Sequence, residues 1–202
     1  MSVKKSRPGA EARRAQILDA AIAVFGEKCY HWATTKEIAQ AAEVSERTLF
    51  LYFQNKKDIY RQAIEKAYRD MMEALNRAAP PMDDIRAFLK MSERNFLVFL
   101  DEHPLSVKLL FRGLEATGDE DMLEDCRHIY QSLYDLFFAI VERARKRGEI
   151  SEGVSTLSAV VTILSFQVIV AYVKYLGLEW FSGEDDIYSL VDVFADFVTG
   201  RR

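Results

Sequence analysis

At 202 residues the chain is long enough for a large core in one or two domains, and because half of its residues are apolar it is not a globally disordered chain. Its formal charge of −4 disfavours a protein that binds nucleic acid over its whole surface. The charge is unevenly distributed, since residues 1–60 hold 10 basic and 7 acidic residues (+3) and residues 61–202 hold 17 and 24 (−7). A basic amino-terminal part is what a localised contact with phosphates requires.

The sequence gives little sign of metal, disulfide or catalytic chemistry. Cys29 and Cys126 lie far apart without a CxxC spacing, which predicts two free thiols in a reducing cytoplasm. The three histidines lack metal-ligand spacing, and there is no glycine-rich phosphate loop or nucleophile elbow. We therefore expect that the protein is not an enzyme and has no catalytic residue, metal or cofactor. The charged start MSVKKSRPGAEARR lacks the apolar segment of a signal peptide, so we expect a cytoplasmic protein.

The first elements in chain order are a basic arm and an amphipathic helix. Residues 1–10 carry three cations that either reach a neighbouring DNA groove or act as a solubilising tail. Periodic apolar residues predict a helix over 11–27 that packs beneath the segment that follows. Tyr30 and Trp32 come next, and we predict that they pack as core or staple residues rather than contact DNA.

Residues 35–53, TKEIAQAAEVSERTLFLYF, predict two short helices joined by a tight turn. Thr34 and Glu37 fit a capping box at the start of the first helix, and Ser45 stands where the second helix needs an N-cap. This pattern indicates either a DNA-binding helix-turn-helix or an ordinary helical hairpin without a DNA role. The side chains predicted to face outward on the second helix are those of Glu46, Arg47, Phe50 and Leu51.

A long helix is predicted over 55–79, with Asn55 as its N-cap and with Lys56 and Lys57 beside the outward face of the preceding helix. Helix N-termini and lysines both bind phosphates, which favours DNA binding over the simple hairpin. This helix would link the two halves of the chain mechanically. The remaining apolar periodicity predicts an all-α fold of about nine helices, the others lying near 83–101, 105–111, 121–146, 154–176 and 182–198.

Two later segments each allow a second interpretation. Residues 154–173 are twenty uncharged residues, close to the length of a membrane span, but six Ser, Thr and Gln residues dilute their hydrophobicity. A central helix buried on nearly all sides is the preferred interpretation. The cations at 143–147 complement a helix dipole at its carboxyl end, or they form a second DNA patch. The last two helices are too apolar for a small monomer to cover, which predicts self-association.

The chain resembles the TetR family of transcriptional regulators in the segments ILDAAIAVF, TTKEIA and VSERTLFLYFQNKKDI, within residues 13–59. The resemblance implies that a set of polar side chains binds the phosphate backbone, namely those of Thr34, Thr35, Ser45, Thr48, Tyr52 and Lys56. It also implies that positions 46 and 47 with their neighbours read base edges. The DNA-binding residues are then Thr34, Thr35, Lys36, Ser45, Glu46, Arg47, Thr48, Phe50, Tyr52 and Lys56.

Three residues depart from the pattern of the family. Glu43 and Cys29 stand where the family favours glycine, at positions that commonly need a left-handed backbone, which costs another residue about 1 kcal/mol or more. Phe50 replaces a tyrosine and so lacks a hydroxyl that could touch a phosphate. These departures weaken the predicted site at single residues without changing the assignment.

The resemblance also implies a helix-turn-helix domain over 1–57 and an effector-binding and dimerisation domain over 58–202. The protein would dimerise through its last two helices, bind a palindromic operator as a repressor, and be released by a small apolar or amphipathic effector. The aromatic-rich middle of the chain could enclose the pocket, and the residues predicted to line it are Met71, Phe96, Phe111, Tyr130, Tyr134, Phe137, Phe166 and Gln167.

Two other functions remain open at this stage. In the first, the protein binds DNA but a protein partner rather than a small ligand controls it. In the second, the chain is an enzyme or a lipid carrier with an incidental helix-turn-helix, which is the weakest hypothesis because no catalytic residues are recognisable.

Overall fold

The computed structural model describes residues 9–76, 84–112, 120–181 and 183–200. These residues form nine helices and no strand, which confirms the all-α prediction. Residues 1–8 of the predicted arm and the last residues, 77–79, of the predicted linking helix lie outside the described residues. The helices are α1 Ala10–Glu27, α2 Thr35–Ala41, α3 Glu46–Leu49, α4 Lys56–Asn76, α5 Ile85–Glu102, α6 Pro104–Arg112, α7 Glu120–Lys146, α8 Thr156–Tyr175 and α9 Glu184–Thr199.

Local capping signals set most of the helix boundaries. Asp84 accepts hydrogen bonds from the backbone N–H groups of Arg86 and Ala87 in the first turn of α5, and Ser155 accepts one from that of Ser158 at the start of α8. At the other end of α7, three cations in the last turn precede Gly148, whose φ of 78° is left-handed. This is the predicted cationic turn followed by a glycine stop, and it has an adequate cause in the helix dipole.

The chain packs as two compact units. The amino-terminal unit comprises Met1–Arg69 and Leu105–Asp125, and the carboxy-terminal unit comprises Asp70–Pro104 and Cys126–Arg202. The packing thus groups α6 with the helix-turn-helix, a grouping that the sequence did not suggest. The predicted functional boundary after residue 57 stays a prediction.

Gly26 fixes how closely α6 approaches α1 in the amino-terminal unit. A Cβ at this position would lie 2.5 Å from the backbone oxygen of Leu105, a distance that real Cβ atoms do not tolerate. Arg112, at the other end of α6, donates from Nη1 to the carbonyl oxygen of Gly26 at 3.1 Å. Glycine is therefore required here because two backbones meet.

The core of the carboxy-terminal unit is built from α5, α7, α8 and α9. Phe88 of α5 meets Phe137 of α7 edge-on, with 6.5 Å between ring centroids. On the outside, Asp192 of α9 accepts ion-pair contacts from Lys90 at 2.7 Å and from Arg86 at 3.0 Å. The lysine first and then the arginine lower the pKa of Asp192. These ion pairs hold α5 against α9 at the unit's surface.

The helices α8 and α9 each bury one face and expose another. By length and composition, helix α8 is long and apolar enough to cross a membrane. Only 39% of its apolar segment is buried within the chain. The prediction of a helix covered on nearly all sides is therefore wrong for the single chain. The exposed apolar side chains of α8 and α9 are those of Leu157, Val161, Ile169, Tyr172, Tyr175, Leu190, Val193 and Phe197.

Candidate nucleic-acid interface

The start of α2 is held by the predicted capping box. The Thr34 hydroxyl oxygen accepts from the backbone N–H of Glu37 at 3.2 Å, and Glu37 Oε2 accepts from the backbone N–H of Thr34 at 2.9 Å. Lys28 lies against the Glu37 carboxylate and, together with the Thr34 hydrogen bonds, lowers the pKa of Glu37 to about 2. Glu37 therefore stays ionised and keeps α2 capped at any physiological pH.

The turn between α2 and α3 contains the predicted left-handed residue. Glu43 has a φ of 51°, the conformation that the family's glycine would supply without strain. The same expectation for Cys29 is wrong, because among the described residues Glu43 is the one non-glycine residue with a positive φ. The carbonyl oxygen of Cys29 instead accepts from the backbone N–H groups of Trp32 and Ala33, which closes a turn without a left-handed residue.

Helix α3 is short and anchored by its inner face. Ser45 accepts from the backbone N–H of Thr48 at 3.0 Å, which confirms it as the N-cap. Leu49 is fully buried and Phe53 nearly so, and these two side chains fix α3 on the core of the unit. Tyr52 is half-buried. The four side chains predicted to face outward are exposed, namely Glu46, Arg47, Phe50 and Leu51.

Two predicted DNA-contacting threonines are hydrogen-bonded to carboxylates within the chain. Thr35 Oγ1 donates to Glu46 Oε1 at 2.7 Å and so joins the start of α2 to the start of α3. Thr34 Oγ1 lies 2.9 Å from Glu37 Oε2 and donates to it. A phosphate would compete with these carboxylates for the hydroxyl protons. If the predicted contacts are made, the cations of Lys36, Arg47 and Lys56 would therefore supply most of the attraction for DNA.

Lys56 lies over an aromatic ring. Its Nζ is 4.4 Å from the centroid of the Tyr30 ring, and Tyr30 in turn packs on Phe25 and Tyr60. Partial burial lowers the pKa of Lys56, while the Glu37 carboxylate opposes that shift. Tyr30 therefore packs as predicted, and its ring positions the first cation of α4 at the edge of the helix-turn-helix.

Trp32 contradicts the prediction that it packs in the core. Its side chain is 78% exposed, in the turn between α1 and α2. The neighbouring Tyr30 occupies the aromatic cluster with Phe25 and Tyr60, and Trp32 remains outside it.

The two crossed helices, their buried anchors and the exposed arginine of α3 define a helix-turn-helix DNA-binding protein. Residues 17–63 match the model of the family described as bacterial regulatory proteins, tetR family. The chain is 24% identical over 155 residues, 75% of each protein, to the fatty acid metabolism regulator protein of Bacillus subtilis. It is 29% identical over 133 residues, 66% of this chain and 60% of the relative, to the transcriptional activator FasR of Mycolicibacterium smegmatis.

The fold is similar to that of solved regulators over nearly its whole length. A crystal structure of the regulator FadR from Bacillus subtilis in complex with stearoyl-CoA matches with a TM-score of 0.70 at 22% identity, covering 93% of this chain and 99% of that one. The amino-terminal part of the chain therefore carries a DNA-binding domain of the TetR family, and the chain as a whole has the fold of the solved regulators.

The predicted effector residues are only partly brought together. Seven of the eight belong to the carboxy-terminal unit, whereas Phe111 belongs to the amino-terminal unit. Tyr134 and Phe166 pack against the cluster that contains Phe137. Tyr130, which was predicted to face inward, is 37% exposed, although burial of its hydroxyl raises its pKa. The buried members are Met71, Phe96, Phe137 and Gln167.

A buried carboxyl group in the carboxy-terminal unit was missed in the sequence. Glu93 of α5 is 4% exposed, and its Oε1 has no hydrogen-bond partner among the described residues. Burial raises the pKa of Glu93 from 4.5 to about 7. Glu93 lies one helical turn from Leu89 and one from Phe96, which are both apolar. This spacing was the signal in the sequence that could have revealed a buried carboxyl group.

Arg47→Ala is expected to relax the preference for one base pair of the operator by about 1–3 kcal/mol, because arginine binds a guanine edge through two hydrogen bonds. Binding titrations with the operator and its single-base variants measure this. Arg69→Ala removes the same charge from an exposed position of α4 and should leave the preference unchanged. An equal loss for every sequence would make Arg47 a phosphate contact.

Lys56→Ala is expected to reduce the slope of log affinity against log salt by about one unit, because one phosphate contact fewer releases one counterion fewer. Titrations at four or five salt concentrations give the slope. Lys146→Ala, at an exposed position in the last turn of α7, is the matched control with an unchanged slope. If the slope of the Lys56→Ala protein is also unchanged from the wild type, Lys56 is not part of the interface.

Proposed function

We propose that the protein is a homodimeric transcriptional repressor that binds a palindromic operator and is released by a small apolar or amphipathic effector. The observation that carries the DNA-binding part is the exposed outer face of α3, which presents Arg47 in a domain that matches the tetR family. The DNA contacts would come from the ten residues between Thr34 and Lys56 named above. The protein would act in the cytoplasm, with domains at 1–57 and 58–202.

The uncovered apolar faces of α8 and α9 support a dimer. On α9 the exposed side chains of Leu190, Val193 and Phe197 recur at helical spacing, opposite the face packed on α5. Contiguous exposed apolar surface of this kind marks a site of protein association. A two-fold dimer would bury this surface and present two helix-turn-helix domains to two half-sites of the DNA. This is why we propose a palindromic operator.

The effector would bind in the carboxy-terminal unit. One relative is named for fatty acid metabolism, and one structural neighbour holds stearoyl-CoA, so an amphipathic ligand is a reasonable class for this chain. The aromatic residues near Phe137 offer an apolar lining, and Gln167 and Tyr134 offer polar groups. A coupling of about 1–3 kcal/mol between ligand and operator suffices for a 5–150-fold change in affinity.

Footprinting of the purified protein on the DNA upstream of its own gene tests the proposal. We expect one protected near-palindrome at moderate salt, with two half-sites about one helical turn apart. Absence of any preferred site would remove the DNA-binding function.

Reporter transcription with and without the protein then gives the sign of regulation, which matters because FasR is named an activator. Increased transcription on adding the protein would overturn the repressor assignment.

A further inference from the structure

Glu93 lies on the buried side of α5 among apolar residues. On this helix it is one turn from Leu89 and from Phe96, both of which are buried. Its Oε1 finds no hydrogen-bond donor among the described residues. A buried polar atom without a partner is rare in folded proteins and calls for a reason beyond packing.

The cations of α5 that could reach this carboxyl group are engaged elsewhere. Lys90, one turn before Glu93, pairs with Asp192 of α9 at 2.7 Å. Arg86, two turns before, pairs with Asp192 and Asp196 on the same outer surface. Arg94 is exposed. The helix thus directs its positive charges outward and keeps a single acid inside.

Each protonation state of the Glu93 carboxyl group leaves Oε1 unsatisfied. An ionised Glu93 would be a buried charge that no cation of α5 pairs with, and in a protonated Glu93 the Oε1 atom still lacks a hydrogen-bond partner. A ligand with a protonated amine would supply both the missing charge and the missing donors. The ring of Phe96, one turn away, adds an aromatic neighbour of the kind that binds cations.

We infer that Glu93 anchors the effector of this protein, and that the effector is an amphipathic molecule with a protonated amine on an apolar body. The inference rests on the proposed function for the existence of an effector and goes beyond it in the class of ligand. The apolar body would lie along the buried residues of α5, while α8, which packs against α5, contributes the buried amide of Gln167. The carboxyl group ionises as the ammonium arrives, so binding releases a proton.

Three twelve-carbon probes test this inference on the full-length protein at pH 7: dodecylammonium and dodecanoate, each below its micellar concentration, and dodecanol, below its solubility limit. Isothermal titration should give an affinity for dodecylammonium about tenfold or more above that for dodecanol, the gain expected of a charge-assisted contact. Titrations in two buffers of different ionisation enthalpy should show release of about half a proton per ligand, because a group with a pKa near 7 is half protonated at this pH.

Glu93→Gln should abolish both the preference for the ammonium and the proton release. If the Glu93→Gln protein does not fold, Glu93→Leu is tested in its place, because it puts an apolar side chain of similar length in the core. Glu102→Gln changes an exposed acid of the same helix and should bind like the wild type. Equal affinity for dodecanol and dodecylammonium, or a preference that survives in both Glu93 variants, would overturn the inference.

The same probes separate the inference from the proposed function. If dodecanoate or dodecanol releases operator DNA while dodecylammonium does not, the effector exists but Glu93 does not select an amine. If no probe binds, the inference fails whether or not the protein binds its operator. If the protein has no preferred DNA site, the proposed function fails, and binding of dodecylammonium then describes a ligand site without a regulatory role.

Discussion

Phe197→Asp is expected to convert the proposed dimer into monomers and to abolish tight operator binding. The side chain is 60% exposed in the single chain and lies in the apolar stripe of α9 with Val193. Two-fold symmetry would bury the new carboxylate twice without a partner, which should raise the dimer dissociation constant by about a thousandfold or more. Sedimentation velocity at micromolar concentration gives the oligomeric state, and a binding titration gives the operator affinity.

The control for this prediction adds the same charge to the same helix. Ser189 is exposed on α9 but lies beside the acids that pair with α5, outside the apolar stripe. Ser189→Asp should therefore leave the protein dimeric. A Phe197→Asp protein that remains dimeric would mean that α9 is not the interface, and the proposed spacing of two reading heads would lose its basis.

Glu93→Gln is expected to remove a large pH dependence from the stability of the protein. The unfolded chain ionises this carboxyl group near pH 4.5, but the folded chain does so only near pH 7. As pH rises through this window the unfolded state loses its proton first, so the wild-type free energy of unfolding falls. Between pH 5 and pH 8 the variant should gain about 2 to 3 kcal/mol over the wild type.

Urea unfolding of both proteins at pH 5 and pH 8 measures this gain. Glu102→Gln is the matched control, because an exposed acid on the same helix should change the stability little and equally at both pH values. The sign of the change in the free energy of unfolding is decisive, since a raised pKa of a carboxyl group lowers the stability at high pH. A Glu93→Gln protein that tracks the wild type at both pH values would show that the carboxyl group is solvated or paired.

The helices and their caps were predictable because the signals that set them act within a few residues. The capping box of Thr34 and Glu37, the N-cap at Ser45 and the glycine stop at 148 all need only local hydrogen bonds and backbone angles. The left-handed Glu43 was likewise visible as a departure from glycine. The pattern of apolar residues in the second short helix likewise indicated which face of α3 is exposed.

Burial that depends on distant partners was not predictable in the same way. Trp32 was expected in the core because aromatics usually pack, but Tyr30 occupies the available place with Phe25 and Tyr60. The apolar faces of α8 and α9 look the same in a sequence whether the same chain or another molecule covers them. Phe111 was grouped with the effector residues on composition alone, although its helix packs in the amino-terminal unit.

Gly26 has a consequence for the natural variation of this protein. Every single-nucleotide change of a glycine codon that alters the residue introduces a side chain or a stop, and the backbone oxygen of Leu105 leaves no space for one. Mutants at this codon should therefore appear in genetic screens as loss of regulation. Their defect would be a separation of α1 from α6, in protein whose DNA-facing side chains are all intact.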